Sequence, residues 1–202
     1  MQKSSIALFA NAILATAVSL PASAGGERAA SVPKIVAACE SCHGPGGNSS
    51  SSTVPKLNGQ RADYITARLN AFLNPNSQTP GATHAMWDIS EHVRPEDVGG
   101  IAKYFSSQIP TPSGNGGQHV AEGRKIYMEG DGARIPACAA CHGPQGEGRG
   151  EVPRLAGQHK TYLAFQLESF NMRTRYHDKM DRNTLHMSDD EINAVSEYLA
   201  DK

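Results

Sequence analysis

Cys39-Glu40-Ser41-Cys42-His43-Gly44-Pro45-Gly46-Gly47 returns in the second half of the chain as Cys138-Ala139-Ala140-Cys141-His142-Gly143-Pro144-Gln145-Gly146, and the two copies use all four cysteines. Cys-x-x-Cys followed at once by histidine is the spacing for covalent attachment of a c-type haem, each thiol forming a thioether with one vinyl group. The adjacent histidine is carried beneath the ring, where an imidazole nitrogen can bind iron. Cys39, Cys42 and His43 would hold one haem, and Cys138, Cys141 and His142 a second. Four cysteines also allow two disulfides, with three connectivities. A thioredoxin-like dithiol uses Cys-x-x-Cys but has no need of the histidine. A four-cysteine zinc site would have to join two pairs that lie far apart in sequence. Two copies with the same His-Gly-Pro-x-Gly continuation and no cysteine left over favour two covalently bound haem c groups, and so a chain that handles electrons.

The N-terminus carries the pattern of an export signal. Lys3 supplies a positive start, Ile6 to Leu20 is mostly apolar, and Ala22-Ser23-Ala24 matches small-x-small cleavage. Cleavage there leaves a chain beginning at residue 25. The alternative is a retained anchor, but the apolar stretch is broken by Asn11, ended by Pro21, and shorter than the roughly 20 residues of a spanning helix. Export to the periplasm of a bacterium is the expectation. The whole chain has 19 Lys+Arg against 20 Asp+Glu, and the signal holds one lysine and no acid. A slightly negative remainder gives no footprint for nucleic acid or anionic lipid. Most of the arginines gathered in the second half, Arg124 to Arg182, read as solvated surface.

An internal repeat organises the rest. Val54-Pro55-Lys56-Leu57-Asn58-Gly59-Gln60 recurs as Val152-Pro153-Arg154-Leu155-Ala156-Gly157-Gln158, and Tyr64, Leu69 and Phe72 recur as Tyr162, Leu167 and Phe170. Between the copies, residues 110–117 have linker composition. The expected layout is a signal at 1–24, domains at 25–109 and 118–202, and a linker at 110–117. Domains of about 85 residues bury little core of their own. A covalent haem would supply a large apolar plate to pack against, so the apo chain should fold poorly. The pattern is all-α. Glu27–Ala38 and Glu122–Met128 lead toward the two haem motifs, while Arg61–Leu73 and His159–Met172 carry apolar residues at helical spacing. The last helix of each half starts near Arg94-Pro95-Glu96-Asp97 and Ser188-Asp189-Asp190-Glu191, the latter fitting a capping box. Gly- and Ser-rich stretches after each motif, such as Ser49–Thr53, read as loops.

A haem held by one histidine leaves one axial position to fill, and its occupant separates carrier from catalyst. Met86 and Met180 stand at matched positions, each seven residues before a matched pair, Val93 and Met187. Met187 thus fills the apolar slot that Val93 fills in the first half. A single methionine is usually core filler, but a matched one in two haem repeats points to ligation. His84, His92, His177 and His186 compete, His84 and His177 most seriously. His119 and His159 read as surface residues. Thioether sulfur favours ferrous iron and raises the reduction potential, which suits delivery of electrons to a high-potential acceptor.

The double motif, the His-Gly-Pro-x-Gly continuation, the V-P-x-L-x-G-Q segment and the late methionine together resemble the dihaem cytochrome c4 family over nearly the whole mature chain. The resemblance implies two tandem class I cytochrome c domains, each wrapped around one covalent haem and related by a pseudo-twofold axis. It also implies that the Pro55 and Pro153 carbonyls accept the proximal histidine N–H, and that Tyr64 and Tyr162 meet haem propionates or the domain contact, the alternative for both tyrosines being simple packing within a helix. The chain departs from the internal pattern at Asn74–Ala85, four residues longer than its counterpart, at Trp87 and at Arg94-Pro95.

The expected function is a periplasmic dihaem carrier of single electrons, without substrate chemistry of its own. Its partners would be redox proteins, a respiratory-chain donor and a terminal oxidase or reductase as acceptor, with peripheral membrane association and no nucleic acid. One alternative is the cytochrome subunit of a periplasmic oxidoreductase such as a flavocytochrome or dehydrogenase. Another is a dihaem enzyme acting at an open haem site.

Overall fold

The computed structural model describes residues 25–74, 84–114 and 116–202. The signal segment and most of the longer stretch between Asn74 and Ala85 lie outside these residues. The backbone is helical, and among the described residues the strand-like pairings are two isolated bridges, Asp131–Ile135 and Arg149–Val152. The first half contains α1 (Gly25–His43), α2 (Ala62–Leu73), α3 (His84–Ser90) and α4 (Val98–Ser106). The second contains α5 (Val120–Glu129), α6 (Ala139–His142), α7 (Lys160–Asn171), α8 (Asp178–Thr184) and α9 (Asp189–Ala200).

Each half gathers its own core. Ile65, Leu69 and Leu73 recur every fourth residue along α2 and face Val36, Val93, Val98, Ile101, Ala102 and Phe105. In the second half Ile126, Tyr127, Ile135, Leu163, Met187, Ile192, Val195, Tyr198 and Leu199 pack together. α5 crosses α9 closely: a Cβ added at Gly123 would lie 1.9 Å from the Ala194 carbonyl oxygen, so only glycine permits the approach.

The halves reach their haem motifs differently. α1 carries Cys39, Cys42 and His43 in one unbroken helix. The helix expected at Glu122–Met128 is α5, and it stops short of the second motif at Gly130, whose φ of 74° ends it. A loop follows in which the Asp131 N–H donates to the Ile135 carbonyl at 2.8 Å, and α6 starts only after Cys138. At α9 the capping box forms between Ser188 and Glu191. The first half has no such cap. Arg94 instead grips Asp97 (Nε to Oδ2, 2.8 Å) beside the 3-10 turn Pro95–Asp97 that precedes α4.

Candidate functional site

Each His-Gly-Pro sequence turns the chain sharply beneath the motif. Gly44 has φ 77° and Gly143 φ 81°, and a Cβ at Gly44 would lie 2.6 Å from the Asn48 carbonyl oxygen. The turn brings the V-P-x-L-x-G-Q segment under the histidine in both halves. The Leu57 N–H donates to the Gly47 carbonyl and the Leu155 N–H to the Gly146 carbonyl, each at 2.7 Å. Gly59 and Gly157 N–H groups fasten the segment to the last helix through the Phe105 and Leu199 carbonyls, each at 2.8 Å.

This anchoring fixes the imidazoles. His43 Nδ1–H donates to the Pro55 carbonyl at 2.8 Å and His142 Nδ1–H to the Pro153 carbonyl at 3.1 Å. Both histidines are only 7% exposed. Burial lowers the pKa of each, which favours the neutral ring, while the proline carbonyl opposes the shift. With Nδ1 occupied as a donor, the Nε2 lone pair is left for a metal. All four cysteines are free. Cys39 and Cys138 are pushed up to about 11 by burial, far from the lowered pKa of a reactive dithiol. Among the described residues no three His, Cys, Asp or Glu side chains cluster as a zinc site would need. Two free thiols one helical turn apart, beside a buried histidine with its Nε2 uncommitted, fit a covalent haem.

Met86 is the third residue of α3 and Met180 the third of α8, so the repeat places both methionines alike. Both are half-buried and belong to neither core cluster, whereas Met187 and Val93 are core residues. His92 and His186 are exposed. His177 caps α8, its Nδ1 accepting the Met180 N–H at 3.4 Å. The side chain of His84 lies outside the described residues.

Sequence reasoning missed what lies between the halves. Gln158 Oε1 accepts the Lys56 N–H at 2.9 Å and its Nε2 donates to the Lys56 carbonyl at 3.0 Å. Gln60 does the same to Arg154, at 2.8 and 3.0 Å. The signal was present in the recurrence of Gln60 as Gln158, but nothing in one strand of sequence says that each glutamine reaches the other copy. Arg154 donates to the carbonyls of Asn58 (2.6 Å), Gly59 (3.1 Å) and Ala156. Burial pushes its guanidinium down to about 10. Lys56 Nζ donates to the Thr111 and Pro112 carbonyls, tying these two residues to the first half. His159, expected at the surface, is half-buried and donates from Nε2 to the Ser49 carbonyl at 2.9 Å. His119 is exposed, as expected.

The arginine reading needs correction at two places, buried Arg154 and half-buried Arg175. Arg175 Nη2 donates to Tyr64 Oη at 3.4 Å across the seam, and its guanidinium lies 4.6 Å from the Phe170 ring centroid. Arg68 stacks likewise on Phe72 at 5.0 Å. Burial, then the neighbouring Tyr64 hydroxyl, raise the Tyr162 pKa to about 12. Arg68, Arg175, Tyr64 and Tyr162 thus form one cluster of donors, suited to carboxylates.

Residues 120–201 match the cytochrome c family profile. Over 194 residues the chain is 36% identical to cytochrome c4 of Azotobacter vinelandii, spanning 88% of this chain and 90% of that protein. The chain belongs to the cytochrome c4 family. The crystal structure of reduced recombinant cytochrome c4 from Pseudomonas stutzeri agrees, with a TM-score of 0.77 at 31% identity over 86% of this chain and 97% of that one. Also similar is a thiosulfate dehydrogenase electron acceptor of Stutzerimonas stutzeri (strain A1501), 34% identical over 81% of this chain and 78% of that protein. Family membership makes this chain a c-type cytochrome, an electron carrier with covalent haem c and tandem class I domains rather than an enzyme. Among the described residues no helix is long and apolar enough to cross a membrane.

Proposed function

We propose that this cytochrome c4 relative is a periplasmic dihaem shuttle that passes single electrons from a respiratory-chain donor to a terminal oxidase or reductase. Cys39 and Cys42 would hold one haem, with His43 and Met86 binding its iron. Cys138 and Cys141 would hold the other, with His142 and Met180 binding its iron. Residues 1–24 direct export, 25–109 and 118–202 form the domains, and 110–117 join them. The observation that carries the reading is the doubled His–Pro contact, which orients two buried imidazoles identically and leaves Nε2 of each uncommitted. When bound, haem iron supplies a one-electron couple whose potential is raised by a thioether ligand. The protein's part is to fix the imidazoles, exclude water from them and set two redox sites against one seam.

A second reading has the same haems serving as the dedicated electron acceptor of a dehydrogenase. The similarity to a thiosulfate dehydrogenase electron acceptor favours it.

The test is a spectroscopically monitored redox titration of the purified protein, followed by carbon monoxide added to the reduced form. Two haems per chain, high potentials, the far-red ferric methionine–sulfur band and no carbon monoxide shift are expected. A low-potential haem that binds carbon monoxide would overturn the ligand assignment for that domain. Reduction of the protein by thiosulfate dehydrogenase, faster than by quinol-oxidising membranes, would select the second reading.

A further inference from the structure

Beneath each histidine a single peptide group faces two ways. The carbonyl of the Pro55–Lys56 peptide accepts from His43 Nδ1, and the N–H of that same peptide donates to Gln158 of the other domain. The Pro153–Arg154 peptide repeats the arrangement, its carbonyl on His142 and its N–H on Gln60. Both glutamines are buried, and each Oε1 also accepts the next N–H along its own chain, Arg61 at 2.8 Å and His159 at 3.0 Å. Their amides are therefore held at both ends and cannot turn away.

We propose that Gln60 and Gln158 are positioning residues acting across the seam, each setting through one peptide group how strongly the other domain's histidine is polarised, so that each haem's potential depends on docking of the opposite domain. The inference rests on His43 and His142 being the proximal ligands. An N–H that donates leaves its own carbonyl a stronger acceptor, because hydrogen bonds in a chain polarise one another. A stronger acceptor draws the Nδ1 proton, makes the imidazole a more basic ligand and favours ferric iron. Removing the glutamine amide therefore raises the potential of the haem in the other domain. The arrangement is reciprocal, so undocking at a partner's surface would release both haems toward higher potential.

The experiment uses the full-length holoprotein and the variants Gln158→Leu and Gln60→Leu made separately. Each haem is titrated individually by its hyperfine-shifted proton NMR signals. Gln158→Leu is expected to raise the reduced-to-oxidised ratio of the His43 haem about threefold at fixed potential, or about 28 mV at 59 mV per decade, with the His142 haem much less affected. Gln60→Leu should do the reverse. Equal movement of both haems in each variant, movement of the same-domain haem alone, or no movement overturns the inference. Protection of the Arg154 N–H from exchange, held by the untouched Gln60, shows that Gln158→Leu stays docked. Where that protection is lost, Gln158→Glu decides. It keeps a stronger acceptor for the Lys56 N–H and should lower the His43 haem more than the His142 haem, and an equal drop overturns the inference. A wild-type protein without two histidine-ligated haems would fail the underlying reading first, before any variant is compared.

Discussion

Arg154→Met should open the seam without unfolding either domain. The guanidinium donates to three main-chain carbonyls, two of them, Asn58 and Gly59, in the first half. A hydrogen bond with one charged partner contributes about 1.5–3 kcal/mol, and a buried carbonyl left without a donor costs about 1–3 kcal/mol. Methionine keeps much of the volume but supplies no donor. Against this stands relief from holding a cation in a site that is only 6% exposed, where desolvation costs several kcal/mol. The balance across the two cross-seam bonds is about 3 kcal/mol lost from docking, or about 150-fold in the docked-to-open ratio. Amide exchange on the holoprotein separates docking from folding. The Lys56 N–H, closed by Gln158, reports the seam, while Ile101 on α4 and Val195 on α9 report the two cores. Exchange at Lys56 should quicken by about two decades while both cores stay protected. Parallel loss of protection at Val195 would show that Arg154 holds up its own domain. A change at Lys56 of less than about threefold would show that the carbonyls find other donors, and either result refutes the reasoning.

Three further outcomes follow from the same contacts. Tyr127 is fully buried and donates from Oη to the Gly143 carbonyl at 2.6 Å, so Tyr127→Phe should cost the holoprotein about 1–2 kcal/mol in urea unfolding. Arg134, with Ser188 assisting, holds the Glu191 carboxyl down to about 2. Because the folded pKa lies below the ordinary 4.5, this contribution is complete above that pH and is lost as pH falls through about 2. Thermal midpoints measured between pH 5 and 2 should therefore fall less steeply in Arg134→Gln than in the parent. Replacing Cys138 and Cys141 together by serine should remove one haem per chain and lower helical circular dichroism, since a domain this small leans on its cofactor. Unchanged helicity would show that the second core stands alone.

Much of the fold was legible because its signals are local. The motifs, the helical spacing of Tyr64, Leu69 and Phe72, and the Ser188–Glu191 box each act within a few turns, and the elements appear where the pattern puts them. The end of α5 was legible because Gly130-Asp131-Gly132 and Pro136 are helix-breaking residues, whereas the positive φ at Gly130 that turns the chain is visible only in the backbone. Met187 and Met180 could be told apart in sequence because Val93 supplies the apolar counterpart, and the core confirms Met187 in that slot. Gln60, Gln158, Lys56 and Arg154 could not be read in the same way. Polar residues in a repeat look like surface until a second copy is placed against the first, and burial here exists only across the seam.

That placement has a consequence for how the two redox sites can differ. From the histidine to the seam the halves are built alike: the same proline carbonyl, the same shared peptide, the same glutamine from the opposite side. On the far side they diverge. Tyr104 reaches Glu40, which takes the Gly46 N–H, whereas in the second half Tyr127 pins the loop at Gly143 and Glu147 takes the Gln145 N–H. Trp87 packs edge-on against Phe72 beside Met86, whereas His177 stands against Phe170 beside Met180. Polarisation through the seam is matched, so it biases both irons in the same direction and cancels from their difference. A gap between the two potentials must then arise where the halves differ, above all in the polarity around each methionine, because burial and neighbouring dipoles tune haem iron. Exchanging Trp87 for histidine should accordingly narrow the gap between the two haems, whereas neither glutamine variant should leave it unchanged.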